Sequence, residues 1–246
     1  MSTGRRTLNI SIIIPTLNEE ATLAPLLANL LAGPRPGPEI IVADGGSTDH
    51  TLELARRPGV LSVSSRPGRG PQQNRGARAA SRDNLLFLHC DTRLPEAFAV
   101  HVHAILERPQ TAAGAFRLKI NGPGAGLRLV EWGVGLRSRL LQMVYGDQAI
   151  FVRREVFHQA GGFADQAILE DLDLIRRLRR LGRIRVAPAA VTTSARRWQR
   201  LGIIRTTLLN QVMLAGYLAR VKPEKLARLY YGGSEVSRAG KPGQSG

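Results

Sequence analysis

Cysteine is almost absent from this chain of 246 residues, in which Cys90 is the single example. One cysteine cannot form an intrachain disulfide, and it excludes a zinc site made of clustered cysteines. This scarcity is typical of proteins from a reducing compartment, so we expect a cytoplasmic location.

Long apolar runs are also missing. No uncharged stretch is longer than the one between Arg205 and Arg220. It is shorter than the roughly 20 apolar residues that a membrane span needs. The apolar run at residues 10–14 ends at Pro15, too early for a signal peptide. The sequence therefore predicts neither a signal peptide nor a transmembrane helix.

Aromatic residues make up only 5% of the chain, although 35 basic residues face 19 acidic ones and the net charge is +16. Such a charge favours a phosphate-bearing ligand, an anionic membrane surface or a nucleic acid. A stacking platform for nucleic acid would alternate aromatic and basic residues, and this chain does not. We therefore expect no nucleic-acid partner, while a basic nucleic-acid-binding protein stays open as an alternative function.

The common glycine-rich phosphate loops are absent as well. The chain contains no GxGxxG after its first predicted strand and no GxxxxGK[ST] anywhere, so it lacks the dinucleotide fingerprint and the P-loop. A nucleotidyltransferase would need a glycine-rich basic loop after that strand. Residues 16–20 are acidic and contain no glycine, which disfavours that class.

What is present is an alternation of apolar runs and helical patterns. Strands are predicted at residues 10–15, 40–43, 60–63 and 85–88, with helices at 19–31, 49–57 and 72–80. The second half predicts strands at 112–120 and 149–152 and helices at 169–181 and 202–221. The glycine-rich residues at 122–126 are predicted to form a flexible loop. This order predicts right-handed βαβ units and a mostly parallel sheet flanked by helices, an α/β fold.

The domain organisation follows from the same pattern. We expect an N-terminal arm at residues 1–8, one domain at 9–231 and a disordered Gly/Ser-rich tail at 232–246. Within the domain we expect a ligand-binding half at about 9–93, a catalytic half at about 94–200 and C-terminal helices at about 201–231.

Polar residues follow each of the first four predicted strands. Asn18 and Glu19 follow the first, Asp44 the second, Arg69 the third and Asp91 the fourth. In an open parallel sheet, ligands bind beyond the carboxyl ends of the strands. Four such loops on one edge indicate a binding site rather than four unrelated helix caps.

Five motifs in order resemble glycosyltransferase family 2. They are SIIIPTLNEE at 11–20, VADGGSTD at 42–49, LHCD at 88–91, GGF at 161–163 and EDLDL at 170–174. The likeness runs from about residue 9 to about residue 200. It implies the GT-A fold of nucleotide-diphospho-sugar transferases and an inverting transfer from a nucleotide sugar.

The resemblance also implies donor-binding roles. Pro15, Thr16 and Glu19 would line the base and ribose pocket, and Asp44 would accept hydrogen bonds from the base or ribose. Asp91 would be the last carboxylate of the family's DxD motif, which holds Mn²⁺ or Mg²⁺ on the diphosphate.

Two positions depart from the family pattern. His89 stands where the first Asp of DxD is expected, and imidazole suits Mn²⁺ better than Mg²⁺. His89 therefore either helps to hold the metal with Asp91 or is a structural residue. Gln73 occupies the place of a donor-facing arginine, so Arg69 or Arg75 would supply that charge.

The resemblance makes Asp171 the catalytic base, with Glu170 beside it. Both begin a predicted helix, whose N-terminus stabilises a carboxylate. Arg197 and Trp198 match the end of the QxxRW element of sugar-polymerising relatives. Ser194 replaces the Gln, which argues against processive synthesis. Arg197 would pair with the diphosphate, and Trp198 would stack on a sugar or pack in the core.

The sequence thus predicts a metal-dependent inverting transfer, from a UDP-sugar rather than a GDP-sugar, to an unidentified acceptor. A catalytically degenerate nucleotide-sugar-binding relative is the alternative. Arginines crowd residues 176–205, just before an apolar helix at 202–221. This arrangement predicts peripheral association with the anionic inner face of the membrane and a lipid-linked or otherwise hydrophobic acceptor, or else a core helix beside a solvated basic surface.

Overall fold

A computed structural model describes residues 9–33 and 36–231, so the predicted arm at 1–8 and tail at 232–246 lie outside the described residues. The strands are β1 (Ile10–Thr16), β2 (Glu39–Asp44), β3 (Val60–Ser64), β4 (Asn84–Phe87), β5 (Thr92–Arg93), β6 (Thr111–Asn121), β7 (Phe151–Arg153) and β8 (Arg183–Ser194).

Ten α-helices are assigned among the described residues, together with a single 3₁₀ turn at Gly146–Gln148. They are α1 (Glu20–Leu31), α2 (Thr51–Ala55), α3 (Arg69–Ala79), α4 (Phe98–Leu106), α5 (Ala125–Leu140), α6 (Arg154–Gln159), α7 (Glu170–Leu178), α8 (Arg196–Leu201), α9 (Ile203–Leu218) and α10 (Pro223–Tyr231).

The eight strands form a single sheet in the order β3-β2-β1-β4-β7-β6-β8-β5. Strands β3, β2, β1 and β4 are parallel neighbours, as are β6 and β8. Strand β7 runs antiparallel between β4 and β6, and β5 runs antiparallel to β8. The predicted α/β fold is confirmed, and each of its antiparallel pairs includes β7 or β8, which come from the second half of the chain.

Strand β1 is buried on both faces, which its continuous β-branched run explains. Ile12 packs in one core layer with Leu27 of α1, and Ile13 packs in the opposite layer with Phe87. The sheet therefore has a core on each face.

The second half departs from the predicted elements. The glycine-rich loop ends where α5 begins, and α5 was not predicted because Gly126, Gly133 and Gly135 lower its helix propensity. Strand β8 was missed because Pro188 and basic residues interrupt its apolar pattern. The helix expected at 202–221 ends at Leu218, since Arg220 has a φ of 57°.

No helix in the described part of the chain combines the length and the apolar character that crossing a membrane requires. Helix α9, with 16 residues, instead lies beside α5, α8 and α10.

Candidate active site

A cavity of about 200 Å³ opens at the carboxyl edge of β4, between α7, the end of β8 and α9. Seven of the residues predicted for the site line it: Arg69, His89, Asp91, Glu170, Asp171, Arg197 and Trp198. They come from four separate segments of the chain. The fold thus brings the predicted metal-binding and catalytic residues to one cavity.

Asp171 is oriented by two backbone N–H groups. The amide of Gly146 donates to its Oδ2 at 2.7 Å, and the amide of Leu172 donates to its Oδ1 at 2.8 Å. Asp171 is the second residue of α7, where the helix dipole favours negative charge. The side chain is only partly buried, so its carboxylate faces the cavity in a fixed orientation.

Two neighbouring carboxyl groups bind their protons unusually tightly. Burial raises the pKa of Glu170 to about 7, and the charge of Asp171 adds to this effect while Arg69 opposes it. Burial raises the pKa of Asp147 to about 6, with Arg137 opposing and Asp171 and Asp91 reinforcing the shift. Near neutral pH these two buried groups are therefore protonated to a greater extent than exposed carboxyl groups are.

His89 is a neutral ring in this setting. Burial, together with the charge of Arg69, lowers its pKa to about 3. A Cβ atom on Gly146 would lie 2.9 Å from His89 Nε2 and 3.4 Å from Asp171 Oδ2. Gly146 thus lets the imidazole and the carboxylate approach the same backbone turn.

The donor set fits a divalent cation in part. Across the described ranges, no group of three or more His, Cys, Asp and Glu side chains is placed to hold a metal by itself. Asp91 and neutral His89 could supply two ligands, and Asp147 has a buried Oδ1 that meets no hydrogen-bond partner in the described part of the chain. A cation here would take its remaining ligands from a diphosphate and water.

The loops after β1 and β2 form a separate, tightly bonded region. Asp44 Oδ2 accepts from the amides of Gly46 and Ser47 at 2.8 and 2.9 Å, and its Oδ1 accepts from the Ser47 and Thr16 hydroxyls. Buried Gln72 joins the two strand ends by donating to the carbonyls of Thr16 and Ala43.

Five predicted donor-binding residues do not line this cavity: Pro15, Thr16, Glu19, Asp44 and Gln73. The first four lie at the ends of β1 and β2 or in the loop after β1, and Gln73 lies in α3. Glu19 Oε2 accepts from Thr22 Oγ1 at 2.5 Å, and Gln73 Nε2 donates to the Arg69 carbonyl at 3.2 Å. Arg75 donates to the Ser64 carbonyl at 3.3 Å, so of the two candidate arginines only Arg69 lines the cavity.

Sequence reasoning missed several lining residues. The turn at Gly146–Gln148 carries Asp147 into the cavity, and buried Gln148 fixes it by donating to the Phe116 carbonyl at 3.0 Å. A Gly-Asp-Gln triplet just before an apolar strand was the available signal. Tyr230 was not foreseeable, because it reaches the cavity only through the packing of α10.

Arg197 and Trp198 line the cavity together with Tyr230 of α10. Arg197 Cζ stands 4.0 Å from the centre of the Tyr230 ring. Arg197 Nε and Trp198 Nε1 are buried and lack a hydrogen-bond partner among the described residues. Buried donors without a partner lower the stability of the folded protein unless a ligand or water accepts a hydrogen bond from them.

This fold is the GT-A fold, and two solved structures share it. One is a mannosyltransferase from Pyrobaculum calidifontis with GDP-mannose and Mn²⁺, with a TM-score of 0.63, 17% identity and coverage of 95% of this chain and 76% of that one. The other is glucosyl-3-phosphoglycerate synthase from Mycobacterium tuberculosis with Mn²⁺, UDP and glucosyl-3-phosphoglycerate, with a TM-score of 0.58, 24% identity and coverage of 96% and 81%.

The model of Glycosyl transferase family 2 matches residues 11–164, and the chain belongs to that family. A β-monoglucosyldiacylglycerol synthase from Nostoc is 28% identical over 191 residues, which cover 69% of this chain. The match spans 41% of the length of that relative.

Proposed function

We propose that the protein is an inverting glycosyltransferase that moves a sugar from a nucleotide sugar to an acceptor hydroxyl. The observation that carries this proposal is Asp171, held by two amide hydrogen bonds in the wall of a cavity that also contains Asp91 and Arg197. Membership of glycosyltransferase family 2 supports it.

Asp171 acts as the general base. Its free carboxylate lone pairs take the proton of the acceptor hydroxyl as that oxygen attacks the anomeric carbon. The bond from this carbon to the donor diphosphate breaks in the same step, so the anomeric configuration inverts. With a pKa of about 7, Glu170 is only partly ionised at neutral pH, and it is more buried than Asp171.

Asp91 and His89 would hold Mn²⁺, or less readily Mg²⁺, at the donor diphosphate. The cation, when bound, neutralises charge that gathers on the leaving nucleoside diphosphate. Arg69 and Arg197 add positive charge to the lining of the cavity. Mn²⁺ in both similar structures supports a metal-dependent reaction.

The loops after β1 and β2 would hold the nucleoside, through Pro15, Thr16, Glu19 and Asp44, with Gln73 nearby. We favour a UDP-sugar over a GDP-sugar. The UDP complex of the mycobacterial synthase supports this choice, while the archaeal mannosyltransferase binds GDP-mannose. Trp198 lies where it could stack on the transferred sugar.

The acceptor is proposed to be lipid-linked or otherwise hydrophobic and to be reached at an anionic membrane surface. Ile168, Met213 and Tyr230 contribute apolar surface to the cavity. The similar protein from Nostoc is named as the synthase of a glucosyldiacylglycerol, which is a lipid. Of the arginines at 176–185, Arg177 and Arg185 make internal contacts with Asp173 and Thr111, so they contribute less to such a surface.

A panel of nucleotide sugars tests the proposal. Thermal shift and release of free nucleoside diphosphate would be measured with UDP- and GDP-sugars, with and without Mn²⁺. We expect stabilisation and turnover with a UDP-sugar, both dependent on Mn²⁺. Stabilisation without any turnover, over a broad set of alcohol acceptors, would identify a non-catalytic relative. No stabilisation by any donor would refute the proposal.

A further inference from the structure

Helix α5 carries an apolar stripe that no other described part of the chain covers. Leu129, Trp132, Leu136 and Leu140 are 67%, 65%, 43% and 70% exposed. They recur at every third or fourth position of Ala125–Leu140, so they lie on one face of the helix. Exposed apolar residues clustered in this way mark an interaction surface, whereas single ones need no explanation.

The opposite face of α5 is anchored in the protein. Leu127 is buried in the core next to β6, and Val130 and Val134 pack against the same cluster. Ser138 is buried and donates to the Val134 carbonyl at 2.8 Å. The helix is therefore firmly seated, and its outward stripe is a stable feature of the surface.

Helix α9 lies against α5 and has a similar outer face. A Cβ atom on Gly126 would lie 3.0 Å from Ile203 Cδ1, where the two helices meet. Ile204, Leu208 and Val212 of α9 are 76%, 60% and 48% exposed, at every fourth position. On its inner side, α9 sends Asn210 and Met213 into the active-site cavity. One helix thus connects the apolar surface with the proposed acceptor site.

The charges around this surface are almost all positive. Residues 125–141 contain three arginines and one glutamate, and residues 196–222 contain six basic residues and no acidic one. A symmetric dimer would place this surface against itself and set these charges in opposition. An anionic bilayer complements both the charge and the apolar stripe, and tryptophan is favoured at its interface.

We propose that the outer faces of α5 and α9, defined by Leu129, Trp132, Leu136, Leu140, Ile204, Leu208 and Val212, form the surface that enters an anionic lipid bilayer. The proposal rests on the peripheral membrane association proposed above and identifies the residues responsible. The stripe enters the interface, and the arginines bind the lipid headgroups. This orientation holds the inner face of α9, and with it the cavity, close to the bilayer.

Sedimentation of the full chain with lipid vesicles tests the proposal. Wild-type protein is expected to bind vesicles of phosphatidylcholine with phosphatidylglycerol more tightly than phosphatidylcholine alone, and increasing salt should weaken the binding. The double substitution Leu136→Gln and Leu140→Gln should weaken vesicle binding by at least about tenfold, because two apolar side chains that would enter the bilayer are lost. The matched control is Leu61→Gln with Val100→Gln, two exposed residues (42% and 67%) outside α5 and α9, and it should bind like wild type.

Fluorescence gives a second readout, since the chain contains two tryptophans. In a Trp198→Phe background the emission comes from Trp132, and it should shift to the blue when anionic vesicles are added. Calorimetry with UDP checks the Leu136→Gln, Leu140→Gln variant and its control. UDP binding that persists while vesicle binding falls separates this surface from the active site, and wild-type protein without UDP binding would count against the proposed function alone.

Three results would overturn the proposal. The first is a failure of the wild-type protein to bind anionic vesicles at low salt. The second is equal vesicle binding by wild type and by the Leu136→Gln, Leu140→Gln variant. The third is a dimer, seen by sedimentation velocity without lipid, that the same variant dissociates, because a second copy of the chain would then cover the face.

Discussion

The two regions at the carboxyl edge of the sheet differ in how their polar groups are satisfied. After β1 and β2, the Asp44 carboxylate accepts four hydrogen bonds, three of them from residues within three positions along the chain. In the cavity, Asp147 Oδ1, Arg197 Nε and Trp198 Nε1 are buried without a hydrogen-bond partner among the described residues. The polar groups of the first region bond mainly to one another, whereas several of those in the cavity are left for a ligand or water to bind.

The difference bears on how each region responds to substitution. Groups that bond to each other hold the backbone in place, so their loss is expected to reduce stability first. Polar groups that face an empty binding site lower the stability of the folded protein. Their loss is therefore expected to reduce activity first. The predictions below test this division, starting with the largest effect.

Asp171→Asn should lower turnover by about 10³-fold, since the amide keeps the shape of the carboxylate but cannot accept the acceptor proton. Binding of UDP should remain close to that of wild type. Steady-state kinetics and calorimetry on the same sample provide the comparison. The matched control is Asp173→Asn, two residues further along α7, whose carboxylate pairs with Arg177 at 2.8 Å. If Asp173→Asn abolished turnover and Asp171→Asn did not, the base would be misassigned.

Gly146→Ala should lower turnover by roughly 10-fold or more, because a 1 Å displacement of a catalytic group is already costly. Its Cβ would lie 2.9 Å from His89 Nε2, and the ring or the turn must move. Gly133→Ala in α5 is the control, since a Cβ there meets nothing within 4 Å and should preserve turnover while favouring the helix. Equal kinetics in both variants would show that the turn does not position the site.

Asp44→Ala should reduce the free energy of unfolding by about 2 kcal/mol, because the Gly46 and Ser47 amides lose their acceptor. Urea denaturation measures the change. Any effect on catalysis should appear as a raised KM for the donor with kcat preserved. A large loss of kcat with unchanged stability would contradict the division between the two regions.

Glu170→Gln should give the smallest effect, and that effect should depend on pH. The folded protein raises the pKa of Glu170 from 4.5 to about 7. The stability linked to its proton is therefore fully present below pH 4.5 and is lost as the pH rises through about 7. Relative to wild type without metal, the variant should gain roughly a few degrees in Tm at pH 8 and little at pH 4.5. A constant difference across this range would argue against a protonated Glu170.

The first half of the fold could be predicted because its signals are local. Continuous β-branched runs such as Ile10–Thr16 and the polar residues after each strand determine both the sheet and its ligand-binding edge. The cavity could be predicted only through residues at recognisable strand or helix ends, such as Asp91 and Asp171. Asp147 and Tyr230 reach it through packing between distant segments, which no local pattern records.

Helix α5 shows the limit most clearly. Its internal glycines lower the helix propensity of the segment. Its large apolar side chains lie on the exposed face of the helix, whereas a core helix buries its apolar face. A sequence pattern identifies a helix by the face that it buries, and here the larger apolar side chains point outward.

Calorimetric titration of UDP into the wild-type protein, with and without Mn²⁺, and into Asp91→Ala is the most direct test of a cation-assisted nucleoside diphosphate site. Wild-type protein should bind UDP more tightly with Mn²⁺ than without it, and Asp91→Ala should bind with the same weaker affinity under both conditions. A UDP affinity of the wild type that is the same with and without Mn²⁺ would contradict the metal site at the end of β4. So would an Mn²⁺ effect in Asp91→Ala as large as that in the wild type.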